Sequence, residues 1–394
     1  MIVLAVLTLG LWLYLVFARG GFWLGRDRDR RASPAPSTWP AVVVVVPARN
    51  EAECVGQSIT SLLAQDFRGP LRVVLVDDNS DDATAVVARG AAARAGATER
   101  LTVLTGQPLP AGWTGKLWAL AQGIDHVAQA QGPDRPTYLL LTDADIVHAS
   151  DTVAWLVAHA QANQLVLTSL MAKLRCESRA ERMLVPAFIF FFEMLYPFAW
   201  VNRPQSPTAA AAGGCVLLRL DAFEQAGGIA AIRSAVIDDC ALAALMKPRG
   251  PIWLGLTERA RSIRAYPGFE DIRRMVARSA YAQLQYSPLL LAATVAGLVV
   301  TYLVPPLLAV FASGWPQVAG ILAWLLMALA FQPTLRFYRV SPLWGLALPA
   351  IAAIYLLFTL DSAVQHARGR GASWKGRFQA KVPNKTANET ANEP

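Results

Sequence analysis

Three long apolar runs without a charged residue, Ser287 to Ala312, Val318 to Leu335 and Leu343 to Leu360, close the chain. A spanning helix takes about 20 residues of this kind, so residues 286–364 read as C-terminal membrane helices. The first run contains Pro305 and Pro306, and the second is barely long enough. A further apolar stretch, Ile2 to Ala18, opens the chain and falls somewhat short of a span unless Gly20 to Trp23 help at the interface. Basic residues follow this stretch instead of preceding it, which is the pattern of a retained anchor (residues 1–23) with its N-terminus outside and not of a cleaved signal peptide. Three C-terminal helices would leave the basic tail from Arg368 opposite the globular body, against the positive-inside tendency. Either one of the three is re-entrant or the interfacial segments are differently counted.

Composition agrees with a bilayer partner. The chain has 394 residues, 54% of them hydrophobic, and a net charge of +8. The excess of apolar residues sits at the two ends. Lys and Arg gather between Arg19 and Arg31 and between Arg368 and Lys381, beside the apolar runs, so the charge points to a membrane surface and not to nucleic acid. Cys54, Cys176, Cys215 and Cys240 are widely separated, with no C-x-x-C pair and no His at zinc spacing. A reduced, cytosol-facing body without structural zinc follows.

Between the apolar ends, residues 24–40 read as a basic and Pro-rich linker, and residues 41–285 as a globular body. Val42 to Val46, Val73 to Val76, Leu101 to Leu104 and Tyr138 to Leu141 are strand signals, with helical patterns between the first three and before the last. That alternation predicts an α/β fold of βαβ units with a parallel sheet covered on both faces. In such sheets ligands bind beyond the carboxyl ends of the strands, and here those ends are acidic. Met183 to Val201 (183–201) is apolar, holds Glu193 and is broken by Pro186 and Pro197. Interfacial or re-entrant helix, buried core helix and true span compete for it. A span would place Asp239 across the bilayer from Asp145. Residues 365–394 read as a basic tail that becomes polar and disordered after Pro383.

The strand ends carry the chemistry. The first runs into Val46-Pro47-Ala48-Arg49-Asn50-Glu51, either a nucleotide grip or a polar turn before a helix. The second runs into Asp77-Asp78-Asn79-Ser80-Asp81-Asp82; Asp78 is placed to accept from a base edge or ribose, while Asp81 and Asp82 suit a helix N-cap and its first turn. The fourth ends in Asp143-Ala144-Asp145, two carboxylates that reach one side of an extended chain and can share a cation. A diphosphate leaving group needs such a cation, and hard oxygen ligands select Mg²⁺ or Mn²⁺. Far downstream, Asp238 and Asp239 follow the small-residue run Ala209 to Cys215. Partial desolvation would raise a carboxylate there toward the range of a general base, and Asp239 is the candidate; N-caps of the next helix are the competing explanation. Lys116, in a Gly-Lys pair opening a helix, suits an anion contact without P-loop spacing. Arg278 suits a diphosphate, or the positive-inside pattern before the first C-terminal membrane helix.

In this order, the segments VPARNEAE, VDDNSDD, TGKLWAL, LTDADI, AAAAGGC and IDDCALA resemble the inverting family 2 glycosyltransferases with their GT-A fold, a Rossmann-like nucleotide-diphospho-sugar transferase domain. With the anchor and the hydrophobic C-terminus, the chain is most similar to the hopene-associated glycosyltransferases and is also similar to ceramide glucosyltransferases, from the anchor to about Pro305. The resemblance implies nucleotide contacts at Glu51 and Asp78 with Lys116 near them, cation and diphosphate at Asp143 and Asp145, and the catalytic base at Asp239. Relatives often show Glu-Asp where Asp238-Asp239 stands. The family's later Q-x-x-R-W motif is degraded: Arg278 fits the arginine, but Met275 and Ser279 replace the glutamine and tryptophan. The expected protein is a multi-pass enzyme of the inner (cytoplasmic) membrane, its catalytic domain facing the cytoplasm, that transfers sugar from a nucleotide-sugar, a UDP-sugar first, to a lipid acceptor of hopanoid type. A polyprenyl-phosphate sugar transferase and a non-catalytic scaffold of a lipid pathway are the alternatives.

Overall fold

The valine run forms the middle of an eight-stranded sheet in the computed structural model of the protein, which describes residues 1–129 and 135–369 and two short strands, Ser373–Trp374 and Arg377–Phe378. Most of the expected basic tail, and all of the polar stretch after Pro383, lie outside the described residues. In chain order the strands are β1 (Val42–Ala48), β2 (Leu71–Asp77), β3 (Leu101–Thr105), β4 (Tyr138–Thr142), β5 (Ile146–His148), β6 (Leu167–Lys173), β7 (Cys215–Arg219) and β8 (Ile252–Ser262), in the spatial order β3-β2-β1-β4-β7-β6-β8-β5.

β1 to β4 pair in parallel. Every residue of β1 is buried because helices cover both faces of the sheet. Val43 and Val45 pack toward the Gly115–Ala128 helix, while Val42, Val44 and Val46 face the Val55–Leu63 and Thr84–Arg94 helices. This alternation is the pleat of a strand that is apolar on both sides. The sheet as a whole is mixed and not parallel, because β7 runs antiparallel to both β4 and β6. That reversal matters for the site: Cys215 lies opposite Thr142, so the loop before β7 arrives where β4 ends.

Residues 24–40 do more than link. Asp29 N–H donates to the Leu256 carbonyl (3.3 Å), Leu256 N–H donates to the Asp27 carbonyl (2.9 Å), and Asp29 pairs with Arg259 at 3.0 Å, so this stretch is laced along β8.

Among the described residues, four helices are long and apolar enough to cross a membrane: Arg179–Val201, Pro288–Phe311, Trp315–Tyr338 and Leu348–Ala367. The second C-terminal helix is longer than its sequence run suggested, having 24 residues. Arg179–Val201 does not separate the chain before it from the chain after it, since Asp143 and Asp238 meet on one lysine, Lys116. A capping box between Ser178 and Glu181 starts this helix. Its Val185 and Ile189 join the core under the sheet, and its Leu184, Ala187 and Phe190 join a second core shared with the C-terminal helices.

The first C-terminal helix widens to a π-turn at Val299–Leu303, just before Pro305 and Pro306. Pro305 has no N–H for the Thr301 carbonyl four residues back, so the ladder must find another donor. Trp12 Nε1 supplies it at 2.7 Å, and Thr8 Oγ1 donates to the Val300 carbonyl at 2.9 Å. The N-terminal Ile2–Phe17 helix is thereby fixed to the C-terminal ones by bonds that the proline itself makes necessary. Close packing continues at Gly320, where an added Cβ would lie 2.6 Å from Leu308 Cβ and 2.8 Å from the Pro305 carbonyl.

Candidate active site

The acidic strand ends converge, and two cations organise them. Lys116 stands at the start of the Gly115–Ala128 helix, whose N-cap Thr114 accepts from the Leu117 N–H. Its ammonium lies 2.9 Å from Asp143 Oδ1 and 3.0 Å from Asp238 Oδ2, joining the end of β4 to the start of the Asp238–Met246 helix. Burial works against the charge of Lys116, but Asp143 and Asp238 outweigh it and hold the ammonium protonated beyond its ordinary range. Asp143 is raised from its ordinary value by burial, with Lys116 pulling the other way.

Asp239 is fixed by the small-residue loop. Gly213 N–H donates to its Oδ2 at 2.9 Å, and Cys240 N–H donates to its Oδ1 at 2.8 Å. The loop is held in turn by Ser169, which bonds both N–H and carbonyl of Ala212, and by Thr142 Oγ1, which donates to the Gly214 carbonyl at 2.7 Å. Gly213 keeps the approach of Lys116 open: a Cβ there would sit 3.2 Å from Lys116 Nζ, and the ammonium would have to shift by a few tenths of an ångström. Burial, and then the neighbouring Asp238, push Asp239 up to about 6, against the opposing pull of Lys116 and the two N–H donors. Neither residue is the N-cap of its helix; that position is Ile237, and both carboxylates lie in the first turn, where the helix dipole favours them.

The second cation is Arg264, which the sequence reading missed. Its Nε donates to Asp145 Oδ2 at 2.8 Å and its Nη2 to both carboxylate oxygens of Glu51 at 2.6 Å. One guanidinium thus spans the ends of β1 and β4. It lies just past β8, a strand the sequence reading did not assign, so nothing marked it among the chain's arginines. Ser262 Oγ also donates to Asp145, at 3.2 Å. Asp143 and Asp145 do not lie on extended chain as expected. Ile146 N–H closes a turn on the Asp143 carbonyl at 3.2 Å, and the two carboxylates face different cations.

Asp78 is fully buried at the end of β2, its N–H donating to the Ala48 carbonyl at 2.8 Å. Neither Asp81 nor Asp82 stands at the N-cap position of the following helix, which is Ala83. Asp82 accepts instead from the N–H groups of Thr84 (2.9 Å) and Ala52 (3.1 Å), tying the turns after β1 and β2 together.

Asp238 and Asp239 also line a second space. An apolar groove of about 350 Å³ runs from them between Phe188, Phe192 and Leu195 on one wall and Leu284, Leu298 and Tyr355 on the other. Arg278, at the C-cap of the Phe269–Ala277 helix, lines the same groove.

The sequence profile described as "Glycosyltransferase like family 2" matches residues 40–252, more than half of the chain. The protein belongs to this glycosyltransferase family. Among curated proteins, the 4,4'-diaponeurosporenoate glycosyltransferase of Staphylococcus aureus (strain MRSA252) is 31% identical to it over 109 residues, 28% of this chain and 27% of that protein, so the match spans about a quarter of the relative's length. Among solved structures, a mannosyltransferase from Pyrobaculum calidifontis in complex with GDP-Man and Mn²⁺ superposes with a TM-score of 0.54 at 21% identity, covering 93% of this chain and 98% of the other. That likeness carries the α/β GT-A-like fold and extends over nearly the whole chain.

For this glycosyltransferase the donor set for a cation can be tested directly. Among the described residues no three His, Cys, Asp or Glu side chains form a ready-made cage. Asp143 and Asp145 are hard oxygen donors just past one strand end, engaged by Lys116 and Arg264, so a cation there would draw most of its ligands from phosphate oxygens and water.

Proposed function

We propose that this enzyme transfers a sugar, with inversion, from a nucleotide-sugar to the hydroxyl of a membrane lipid of the polycyclic, hopanoid type. The observation that carries the reading is the position of Asp238 and Asp239, which line both the Lys116–Asp143 cluster and the apolar groove. A lipid in the groove would present its polar end to Asp239, and a sugar nucleotide at the strand ends would present its anomeric carbon to the same carboxylate.

Glu51 and Asp78 are assigned to the nucleotide, and Asp143 and Asp145 would hold Mg²⁺ or Mn²⁺. When bound, that ion supplies positive charge against the departing diphosphate. Lys116 and Arg278 add fixed positive charge near the same phosphates. Asp239 accepts the proton of the acceptor hydroxyl as its oxygen forms a bond to the anomeric carbon. The bond from that carbon to the donor phosphate breaks, and the nucleoside diphosphate leaves with the electron pair. Asp239 is pushed up to about 6, is held by two N–H donors and lines the groove, which suits it to this role.

The Ile2–Phe17 helix and the three C-terminal helices are assigned to the bilayer of an inner membrane, with the sheet on the cytoplasmic side. The test is a donor screen on detergent-solubilised protein with Mn²⁺ or Mg²⁺, reading mass changes in extracted lipids. A single sugar mass added to a polycyclic lipid, from one donor, is the expected result. Transfer only to water or to soluble acceptors would overturn the acceptor assignment.

A further inference from the structure

Where the Trp315–Tyr338 helix meets the sheet, its last aromatic residues are wedged between cations of other elements. Phe337 lies under both Arg28, at 5.1 Å, and Lys173 Nζ, at 4.6 Å. Beside it opens a cavity of about 370 Å³ lined by Lys173, Arg175, Arg261 and Arg339, with Glu177 and Glu258 as its acidic members. The carboxylates do not balance the cations. Glu258 is taken by Lys173 at 2.7 Å, with Arg339 distant at 3.9 Å, and Glu177 is taken by Arg175 at 2.5 Å. Arg261 uses its Nε on the Glu258 carbonyl and makes no ion pair among the described residues, and the Arg339 side chain is 81% exposed. The Lys173 hydrogen bond, and then the surrounding cations including Arg339 and Arg261, hold the Glu258 carboxyl below its ordinary value.

We infer that this cavity binds the phosphate of an anionic phospholipid, held by Arg261 and Arg339 at the point where the Trp315–Tyr338 helix leaves the bilayer. Height, charge and shape agree on that ligand. The end of an apolar helix of spanning length lies at the headgroup layer, where aromatic and basic side chains settle. A phosphodiester has one negative charge and two acceptor oxygens for two arginines with spare donors. Leu174, Ile263 and Tyr338 in the cavity lining offer a place for the glycerol and upper acyl carbons. A bound lipid here would fix the catalytic sheet against the membrane, since Lys173 and Arg261 belong to β6 and β8. The inference rests on these helices crossing a bilayer and not on the sugar transfer.

The test reconstitutes the full chain in nanodiscs of phosphatidylcholine alone or mixed with phosphatidylglycerol, and compares it with the double variant R261Q/R339Q. Both residues are exposed, and glutamine keeps their aliphatic stems. Native mass spectrometry after detergent release should find phosphatidylglycerol retained over phosphatidylcholine on the wild type. Retention should be about thirtyfold weaker on the variant, two cations at about 1 kcal/mol each near a membrane surface. Equal retention of the two lipids by wild type, or unchanged retention by the variant, would overturn the inference. So would inorganic phosphate displacing the lipid at equal concentration, which would make this a small-anion site. Failure to enter either disc would instead sink the membrane assignment on which it rests.

Discussion

On the strand-end side of Asp239, two half-buried cations hold four carboxylates in fixed geometry: Lys116 with Asp143 and Asp238, Arg264 with Glu51 and Asp145. On the other side the groove offers aromatic and aliphatic walls and few polar groups. The polar side is directional, as a site must be where charge develops in a transition state. The apolar side recognises area, which is non-directional and tolerant of shape. Donor specificity should therefore be sharp and acceptor specificity broad, with Asp239 as the one residue on which both depend.

The largest effect should come from Asp239→Asn. Turnover is expected to fall by about 10²–10⁴ while nucleotide binding, measured by calorimetry, stays intact. Near-normal turnover with intact donor binding would break the division, because it would point to a phosphate acceptor that needs no strong base. Chelation should cost somewhat less, about 10²–10³ in turnover, restored by Mn²⁺ or Mg²⁺. Full activity after exhaustive chelation would remove Asp143 and Asp145 from the cation role.

A pH profile sharpens the comparison next. The base form of Asp239 is the carboxylate, and its proton is held until pH about 6, so activity is lost as pH falls through that value. The ratio kcat/KM should climb about tenfold per pH unit on the acid side and level off above. A profile with no inflection near 6 would argue against Asp239 as the base.

The polar side was readable from sequence because each of its carboxylates stands just past a strand or at a helix start. Asp78, Asp143 and Asp239 were found by adjacency to valine-rich or small-residue runs. Arg264 escaped because its importance lies in what it touches, Glu51 and Asp145, each more than 100 residues away. The groove escaped for the same reason: Phe188, Leu284 and Tyr355 belong to three segments whose meeting is decided by tertiary packing. The antiparallel β7 was likewise invisible, since Cys215 to Arg219 reads as a short apolar run with no mark of direction. The parallel half of the sheet was legible because it is local.

Two smaller effects probe the apolar side alone. Leu195→Ala removes a groove side chain that is 48% exposed and so carries little of the fold. Acceptor KM should rise roughly fivefold, for about 1 kcal/mol of lost burial, with donor KM unchanged. A matching rise in donor KM would mean the two sides are not separate. Trp12→Phe strips the donor from the Thr301 carbonyl, freed by Pro305, and should lower thermal stability by about 1 kcal/mol with turnover nearly unchanged.

The most direct test of the shared pocket is a structure of the protein soaked with Mn²⁺ and a nucleoside diphosphate, read by the anomalous signal of the metal. The expected map places manganese against Asp143 and Asp145, with the terminal phosphate between it and Lys116 and the Asp239 carboxylate open to the groove. Manganese bound elsewhere, or a nucleotide seated away from the ends of β1, β2 and β4, would contradict the account.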